Sequence, residues 1–527
     1  MTNIEDLPPE LLIHLFTYLT PEDRRIASLV CRYWCYEIWM TQKFARDRRL
    51  KFDFCNFTEN SGPTKIFAQT EREYHELVFG GEARFCQKTK ENFFENNFRG
   101  LKSLEFEQFF NYKQLFSYSN NFLSNFPELT ELTLNFDTLQ FTTKDFGALP
   151  KSIKTLNLVL HNSLYSKTSF NMFKGLVWDI LHLKELNLEC QLLTDDLTDF
   201  ITTLQLSTLK SLKVTIDSTC YVNLFKLKCP NMTELFLVIE EPQIVQFLDE
   251  ILSKFPALNV VKLHVFKTMP RSTYSHLIKY LKVTDLNCGM DYVKPLQFLT
   301  DLEELDLSYY FKSVAQGNCF FAHDPYLNPN LRKLRLCGFN NNDLISLMCF
   351  ENLVKSYPNL EILEMDMPLS SQHLQMINQY FQKLKCLAIR NTDVDSRYVP
   401  PLKNFQNLTE LHLEQYIFTN EALLEWPPME HLRVLSIKLD HDYKLENFEK
   451  MIQNVRGVEK LTFNYSSEIG DELMGIVAEN CKRLTEITVE KNHKTERLSE
   501  DVVKLLREKC LFLRKVSFPF LQVNKFC

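Results

Sequence analysis

Apolar residues recur through most of the chain at the first, fourth and sixth positions of a short phrase, with polar residues between them. Six close copies have leucine or methionine at all three positions, and eleven looser copies use other apolar residues. Dividing the span from Leu101 to Leu513 by its sixteen intervals gives a period of about 26 residues. The close copies are Leu129-Thr-Glu-Leu132-Thr-Leu134, Leu183-Lys-Glu-Leu186-Asn-Leu188, Leu302-Glu-Glu-Leu305-Asp-Leu307, Leu331-Arg-Lys-Leu334-Arg-Leu336, Leu360-Glu-Ile-Leu363-Glu-Met365 and Leu408-Thr-Glu-Leu411-His-Leu413.

The second half of each phrase alternates between apolar and polar residues, which predicts a half-buried strand. Three residues before the phrase stands a large apolar residue or a cysteine, often followed by a proline that ends a helix. We call these plug residues: Phe126, Cys229, Phe255, Tyr357, Phe381, Phe405, Cys481 and Cys510. Each repeat is therefore predicted to run from helix to plug, turn and strand. Since one such strand cannot bury its apolar face alone, the copies must stack. The predicted fold is an α/β leucine-rich-repeat solenoid of about 17 repeats, with a parallel sheet on the concave face and helices on the convex face.

Helical patterns fill several of the intervals between strands. They are Gln243–Phe255, Leu344–Tyr357, Gln372–Phe381, Leu445–Val455, Glu472–Asn480 and Glu500–Cys510. The interval after Leu302 differs, because residues 311–326 contain glycine, asparagine and two adjacent phenylalanines. We interpret this segment as a loop, which is either a binding insertion or a spacer.

Composition narrows the function classes. The chain has 527 residues, a net charge of −7 and no long basic run, so nucleic acid is not expected as a partner. The N-terminal residues show neither a basic nor an apolar segment, so we expect no secretory leader, and no apolar run approaches the length of a membrane span. The fifteen cysteines are scattered and odd in number, which is typical of reduced, buried thiols. We expect a cytoplasmic or nuclear protein that does not bind membranes.

Residues 1–50 do not follow the repeat. Leu7-Pro8-Pro9-Glu10 opens one helical pattern, and Thr20-Pro21-Glu22-Asp23 has the residues of a second helix start. Together with Ala27-Ser28-Leu29-Val30-Cys31-Arg32-Tyr33-Trp34, this N-terminal module resembles an F-box over roughly residues 3 to 48. An F-box followed by leucine-rich repeats is similar to the substrate receptors of Skp–cullin–F-box ubiquitin ligases. The resemblance implies that the contacts to a Skp adaptor come from Leu7, Pro8, Leu11, Leu12, Phe16, Leu19, Val30 and Trp34, and that some of these residues instead form the core of the module.

An alternative for residues 1–50 is a small helical cap on the first repeat, since solenoids need polar ends. The distance of about fifty residues to Leu101 argues against it. We interpret residues 51–100 as a connector with a degenerate first repeat at Tyr74-His-Glu-Leu77-Val-Phe79, and residues 101–527 as the solenoid. A flexible linker is the alternative for the connector.

The sequence offers no recognisable catalytic or cofactor motif. It lacks the glycine-rich phosphate loops and the H-E-x-x-H zinc motif. Cys31 and Cys35 are four residues apart, but no histidine or cysteine pair follows at zinc-finger spacing. We therefore expect no catalytic residue, metal or cofactor.

The outward-facing strand residues of the solenoid remain as a candidate surface for a protein target. In the middle of the array they are mainly acidic, with isolated cations and a few aromatic residues, so a partner with basic residues is expected. The candidate target-binding residues are Asp306, Ser308, Tyr310, Arg335, Glu364, Asp366, Arg390, His412, Glu414 and Tyr416.

The sequence thus predicts a non-catalytic receptor that binds a Skp adaptor, and through it a cullin, while the repeats hold an unidentified protein target for ubiquitination. Two alternatives stay open. One is a leucine-rich-repeat scaffold or inhibitor with no ligase role. The other is an enzyme whose site is assembled across the concave face, which would require titratable groups with perturbed pKa values to converge there.

Overall fold

A computed structural model describes residues 9–19, 24, 27, 34, 37–38, 49–52, 56–57, 75–79, 84–85, 98, 100–106, 123, 126–136, 150–160, 183–192, 195, 198–199, 202, 208–268, 270–287, 296, 299–310, 327–338, 345–367, 369–391, 405, 407–418, 420–439, 442–464, 469–490 and 498–518. These residues belong to two compact units. The first unit comprises residues 1–238 and 250–259, and the second comprises residues 239–249 and 260–527.

Strands dominate both units. In chain order they are β1 Arg49–Phe52, β2 Asn56–Phe57, β3 Glu76–Phe79, β4 Arg84–Phe85, β5 Ser103–Phe106, β6 Glu131–Phe136, β7 Thr155–Leu160, β8 Glu185–Leu192, β9 Leu209–Ile216, β10 Glu234–Ile239, β11 Val260–Phe266, β12 Ile278–Asn287, β13 Glu304–Tyr310, β14 Lys333–Gly338, β15 Ile362–Asp366, β16 Cys386–Asn391, β17 Glu410–Phe418, β18 Val434–Leu439, β19 Lys460–Phe463, β20 Glu486–Val489 and β21 Lys515–Ser517.

The strands form parallel ladders. In the first unit β1 pairs with β3, β3 with β5, and each strand from β5 to β9 with the next. In the second unit each strand from β11 to β21 pairs with the next. The short β2 and β4 pair with each other. Consecutive parallel pairing of strands from consecutive repeats is typical of a leucine-rich-repeat solenoid and confirms the predicted fold class.

The helices are α1 Pro9–Thr17, α2 Val222–Lys226, α3 Leu248–Ser253, α4 Leu347–Ser356, α5 Ser371–Tyr380, α6 Asn420–Leu424, α7 Leu445–Asn454, α8 Asp471–Asn480 and α9 Glu500–Lys509. Five of the predicted helical fillers match α4, α5, α7, α8 and α9 closely. The sixth, predicted over residues 243–255, is divided into a 3-10 helix at Pro242–Phe247 and α3. Within the described residues, no helix has both the length and the apolar character needed to cross a membrane.

The phrase leucines form the interior. In β6, Leu132 and Leu134 are buried while Thr133 between them is half-buried. Leu132 is in register with Leu104 of β5 and Leu156 of β7, so equivalent leucines stack from strand to strand. This stacking lets each repeat cover the apolar edge of its neighbour.

The plug residues fix the turn into each strand. All eight are buried. The backbone carbonyl of each plug residue accepts a hydrogen bond from the N–H of the opening apolar residue three positions later, over 2.9 to 3.3 Å, for example from Leu129 N to Phe126 O. Each plug therefore closes a tight turn before its strand and places one buried side chain there.

Candidate functional site

Helix α1 in the N-terminal module has apolar residues on two faces. Leu12 and Phe16 are buried. Leu11, Leu15 and Tyr18 leave 51%, 44% and 75% of their surface exposed. Since their spacing of four and three residues places these three on one side of a helix, they form a continuous exposed stripe, which we call the α1 stripe. An apolar stripe of this kind marks a candidate binding surface.

The buried face of α1 is anchored to the rest of the module. The rings of Phe16 and Trp34 meet edge to face with their centroids 5.3 Å apart. The guanidinium of Arg24 donates hydrogen bonds to the carbonyls of Phe16 and Leu19 at the C-terminal end of the helix. A cation at this end also interacts favourably with the helix dipole. These contacts set which face of α1 is turned outward.

The predicted adaptor-binding residues fall into three groups. Leu7, Pro8 and Val30 lie outside the described residues. Leu11 is exposed, and Leu19 and Trp34 are half-buried. Leu12 and Phe16 belong to the core of the module. Leu15 and Tyr18 complete the exposed face, and neither was among the predicted contacts. The assignment of adaptor contacts stays a prediction.

In the second unit, outward-facing residues of successive strands form continuous rows on one sheet face, which we call the open face. One row runs through residues in strict register: His264, Lys282, Asp306, Arg335, Glu364, Ala388, His412, Ser436, Thr462 and Thr488. Its charges alternate from Lys282 to Glu364, so each charged residue has an opposite charge on the next strand. Opposite-charge pairs at this spacing stabilise a sheet.

Four of the predicted target-binding residues join in one ion-pair network. Arg335 Nη1 lies 3.7 Å from Asp306 Oδ2, and Arg335 Nε lies 3.8 Å from Glu364 Oε2. Arg390 Nη2 approaches the same Glu364 oxygen at 3.9 Å. Burial raises the pKa of the Asp306 carboxyl, and the attraction of Arg335 partly opposes that rise. The network therefore holds a mostly buried carboxylate against one half-exposed guanidinium.

Three of the cations expected to be isolated are paired. Besides Arg335 and Arg390, Lys333 lies 3.8 Å from Glu364. The expectation of isolated cations was therefore wrong for these three residues. Residues at the same position of neighbouring repeats become neighbours in the sheet, and the carboxylates there neutralise the adjacent cations.

For the other predicted target-binding residues, the structure gives the strand or the register position but no side-chain contacts that bear on target binding. Ser308 and Asp366 are both in register with Cys337 of β14. Tyr310 lies in β13, and Glu414 and Tyr416 lie in β17, but their side chains lie outside what the structure describes. The predicted loop over residues 311–326 also lies outside the described residues. Their part in target binding stays a prediction.

In the first unit, the strand positions that correspond to this row carry amide and hydroxyl side chains in place of ion pairs. Asn157 Nδ2 donates to Thr133 Oγ1 over 2.9 Å, and Asn187 Nδ2 donates to Asn157 Oδ1 over 2.7 Å. These side chains hydrogen-bond along the sheet, one strand to the next, and so satisfy each other.

A cluster on the open face of the second unit was not predicted. Cys386 of β16 is the register partner of Glu410 in β17, and His412 follows two residues later on the same face. Donor atoms of these three side chains all lie within 4.8 Å of one another. Burial, followed by the nearby carboxylates of Glu410 and Glu364, raises the pKa of Cys386 to about 12. The alignment of Leu384-Lys-Cys386-Leu387 with Leu408-Thr-Glu410-Leu411 was the signal that could have found it.

The described cysteines are all free thiols, and most are buried. Burial raises the pKa of Cys229 to about 11 and that of Cys481 to about 12. A thiol with a raised pKa stays protonated and is a poor nucleophile. Cys229 and Cys481 therefore behave as small apolar residues of the repeat core.

Comparison with known proteins identifies one region of the chain. Residues 4–41 match the family described as F-box-like. No curated protein sequence matches the chain. One of the solved structures that match is the crystal structure of the mouse RP105/MD-1 complex, at 13% identity and a TM-score of 0.39, covering 84% of this chain and 82% of that one.

The F-box resemblance is thus confirmed for the N-terminal module, and the parallel ladders of the chain itself define the solenoid. The chain therefore combines an F-box-like region at residues 4–41 with a leucine-rich-repeat solenoid.

Proposed function

We propose that this protein is the substrate-recognition subunit of a Skp–cullin–F-box ubiquitin ligase. The F-box-like match over residues 4–41 carries the proposal, because F-box modules bind adaptor proteins. The α1 stripe supports it, since Leu11, Leu15 and Tyr18 leave an apolar face of the same segment exposed. In this role the N-terminal module binds a Skp-type adaptor, which joins the chain to a cullin, in the cytoplasm or the nucleus.

The repeats would hold the protein target. Leucine-rich repeats present long arrays of outward-facing strand residues, which suit protein binding. On the open face of the second unit, the network of Asp306, Arg335, Glu364 and Arg390 offers both charge signs at fixed spacing. A target with complementary charges would exchange some of these pairs for contacts across the interface, which favours specificity over raw affinity.

The proposed contribution to ubiquitination is proximity, with no chemistry performed by this chain. The enzyme alternative required titratable groups to converge on the open face, and Cys386, Glu410 and His412 do so. However, catalytic cysteines need a lowered pKa, and the pKa of Cys386 is raised. The direction of this shift argues against a nucleophilic thiol at the cluster.

The experiment is co-purification of the tagged full-length chain from cells, followed by detection of the Skp-type adaptor and the cullin. The test variant is Leu11→Asp/Leu15→Asp, which places two charges on the α1 stripe and leaves the core residues of α1 unchanged. The matched control is Leu511→Asp, because Leu511 is 83% exposed in another part of the chain.

We expect wild type and the control to retain adaptor and cullin, and the stripe variant to lose both. If neither protein accompanies the wild type, the N-terminal module is a cap and the solenoid is a scaffold without a ligase role. If all three chains retain equal amounts of adaptor and cullin, the α1 stripe is not the adaptor-binding surface.

A further inference from the structure

Three potential metal ligands of different chemical kinds meet on the open face of the second unit. They are the thiol of Cys386, the carboxylate of Glu410 and the imidazole of His412, and one donor atom from each lies within 4.8 Å of the others. Within the described part of the chain, no other three cysteine, histidine or acidic side chains come together in this way. Of the three, only His412 is among the predicted target-binding residues, and the ligase proposal does not use the cluster as a unit.

The sheet itself brings the three side chains together. Cys386 and Glu410 are opposite each other on β16 and β17, which run about 4.8 Å apart as neighbouring strands do. His412 points to the same face as Glu410, and its own partner on β16 is Ala388. The side chain of Ala388 is a single methyl group, which is buried on this face. Ligands on paired strands are held more rigidly than ligands on loops.

The surroundings of the cluster include a further carboxylate. Glu364 of β15 is in register with Ala388 of β16, two residues from Cys386 on the same face. Cys337 is another half-buried cysteine of the open face and belongs to no such group of three ligands within the described residues. Cys337 therefore serves as a matched reference for Cys386.

We propose that Cys386, Glu410 and His412 bind a zinc ion. Thiolate, imidazole and carboxylate together are the donor set of this borderline-soft ion, whereas calcium and magnesium prefer oxygen ligands alone. Tetrahedral zinc with bonds of about 2.0 to 2.3 Å separates its ligand atoms by about 3.3 to 3.7 Å. Glu410 Oε2 and His412 Nε2 are 3.9 Å apart, so small side-chain rotations bring them to this distance.

Three protein ligands leave the fourth zinc position for water or for a side chain of a bound protein. Glu410 and His412 are both partly exposed, so this position is accessible from the open face. The proposal does not depend on adaptor binding, and either can fail without the other.

The test is a titration of the purified, chelator-treated full-length chain with cobalt(II), followed by displacement with zinc. Cobalt bound to a thiolate gives a charge-transfer absorption that reports the sulfur ligand directly. The variants are Cys386→Ser, Glu410→Gln and His412→Gln, and Cys337→Ser is the matched control. Circular dichroism checks the fold of each chain.

We expect one equivalent of cobalt and a charge-transfer band in wild type and in Cys337→Ser. The band is lost in Cys386→Ser, and zinc affinity falls by at least about tenfold in Glu410→Gln and His412→Gln, since even second-shell changes cost that much. The proposal is overturned if wild type shows no band, or if the band survives Cys386→Ser. Wild-type zinc affinity in both Glu410→Gln and His412→Gln would also overturn it.

Discussion

Replacing Arg335 with methionine should destabilise the middle of the second unit. The substitution keeps an unbranched side chain but removes the guanidinium that lies 3.7 Å from Asp306 and 3.8 Å from Glu364. Asp306 cannot regain full hydration, because only 12% of its side chain is exposed. Breaking a fully buried ion pair costs about 3–5 kcal/mol. The Arg335 side chain is 36% exposed, so water offsets part of the loss and we expect about 1–3 kcal/mol.

The effect should depend on pH. The pKa of Asp306 is raised by burial, and Arg335 is the strongest influence that lowers it, so the pKa rises further in Arg335→Met. A carboxyl whose pKa is higher in the folded state than in the unfolded state stabilises the fold when protonated, at low pH. That contribution is lost as the pH rises through the folded pKa. The destabilisation by Arg335→Met is therefore largest at neutral pH and shrinks as the pH falls towards 3.8.

Hydrogen exchange of peptides from β13 to β15 is the suitable assay, because repeat arrays open locally and do not follow two-state unfolding. A loss of about 1–3 kcal/mol speeds exchange by roughly 5- to 160-fold. The double variant Asp306→Asn/Arg335→Met should recover part of the protection, since the amide carries no charge to desolvate. Lys460→Met is the control and should leave exchange of these peptides unchanged, because Lys460 is 52% exposed and pairs with Glu486 on β19 and β20, outside the network. Equal exchange in Arg335→Met and in the double variant would refute the reasoning.

Three further predictions concern the repeat interior. Leu411→Ala removes a fully buried phrase leucine and should cost about 2–5 kcal/mol, seen as an earlier denaturant transition of the second unit. His373 is buried, accepts from Ser370 N at Nδ1 and lies 2.9 Å from Ile345 O through Nε2, and burial lowers its pKa. Its stabilising contribution is present above pH 6.5 and is lost as the pH falls below that value, so the exchange protection factors of α5, corrected for the intrinsic rate at each pH, should be lower at pH 5.5 than at neutral pH in wild type but not in His373→Gln. Gly457→Ala should lower thermal stability, since a Cβ there would lie 2.8 Å from the carbonyl oxygen of Glu430 and displace Arg433.

The repeat pattern predicted most of the described strands, because a two-residue alternation next to a plug leaves little choice of structure. The phrase beginning at Leu302, for example, becomes β13 from Glu304 to Tyr310. The same pattern contains the neighbour relations of the open face. Asp306, Arg335 and Glu364 occupy one position of three successive phrases, and in a parallel sheet equal positions become adjacent. An alignment of the phrases would therefore have predicted ion pairs at these positions and not isolated cations.

Other features depend on information that a periodic pattern lacks. Strand β1 at Arg49–Phe52 was not predicted, because only its pairing with β3 defines it. In α1, leucines on both faces make the buried side ambiguous, and the Phe16–Trp34 contact decides it. The burial of the Asp306 side chain depends on the side chains around it, and the alternation of apolar and polar residues does not specify those contacts. The domain boundaries at residues 50 and 100 stay a prediction.

The most direct test of the account is the affinity of the purified full-length chain for a purified Skp-type adaptor, measured by calorimetry. Burying Leu11 and Leu15 in the interface is worth about 1.5–3 kcal/mol for each side chain. Leu11→Asp/Leu15→Asp should therefore weaken binding by at least about 100-fold, while Leu511→Asp should match wild type. A folded stripe variant that binds the adaptor as tightly as wild type would contradict the proposed docking surface. A wild-type chain that does not bind the adaptor at all would contradict the receptor function itself.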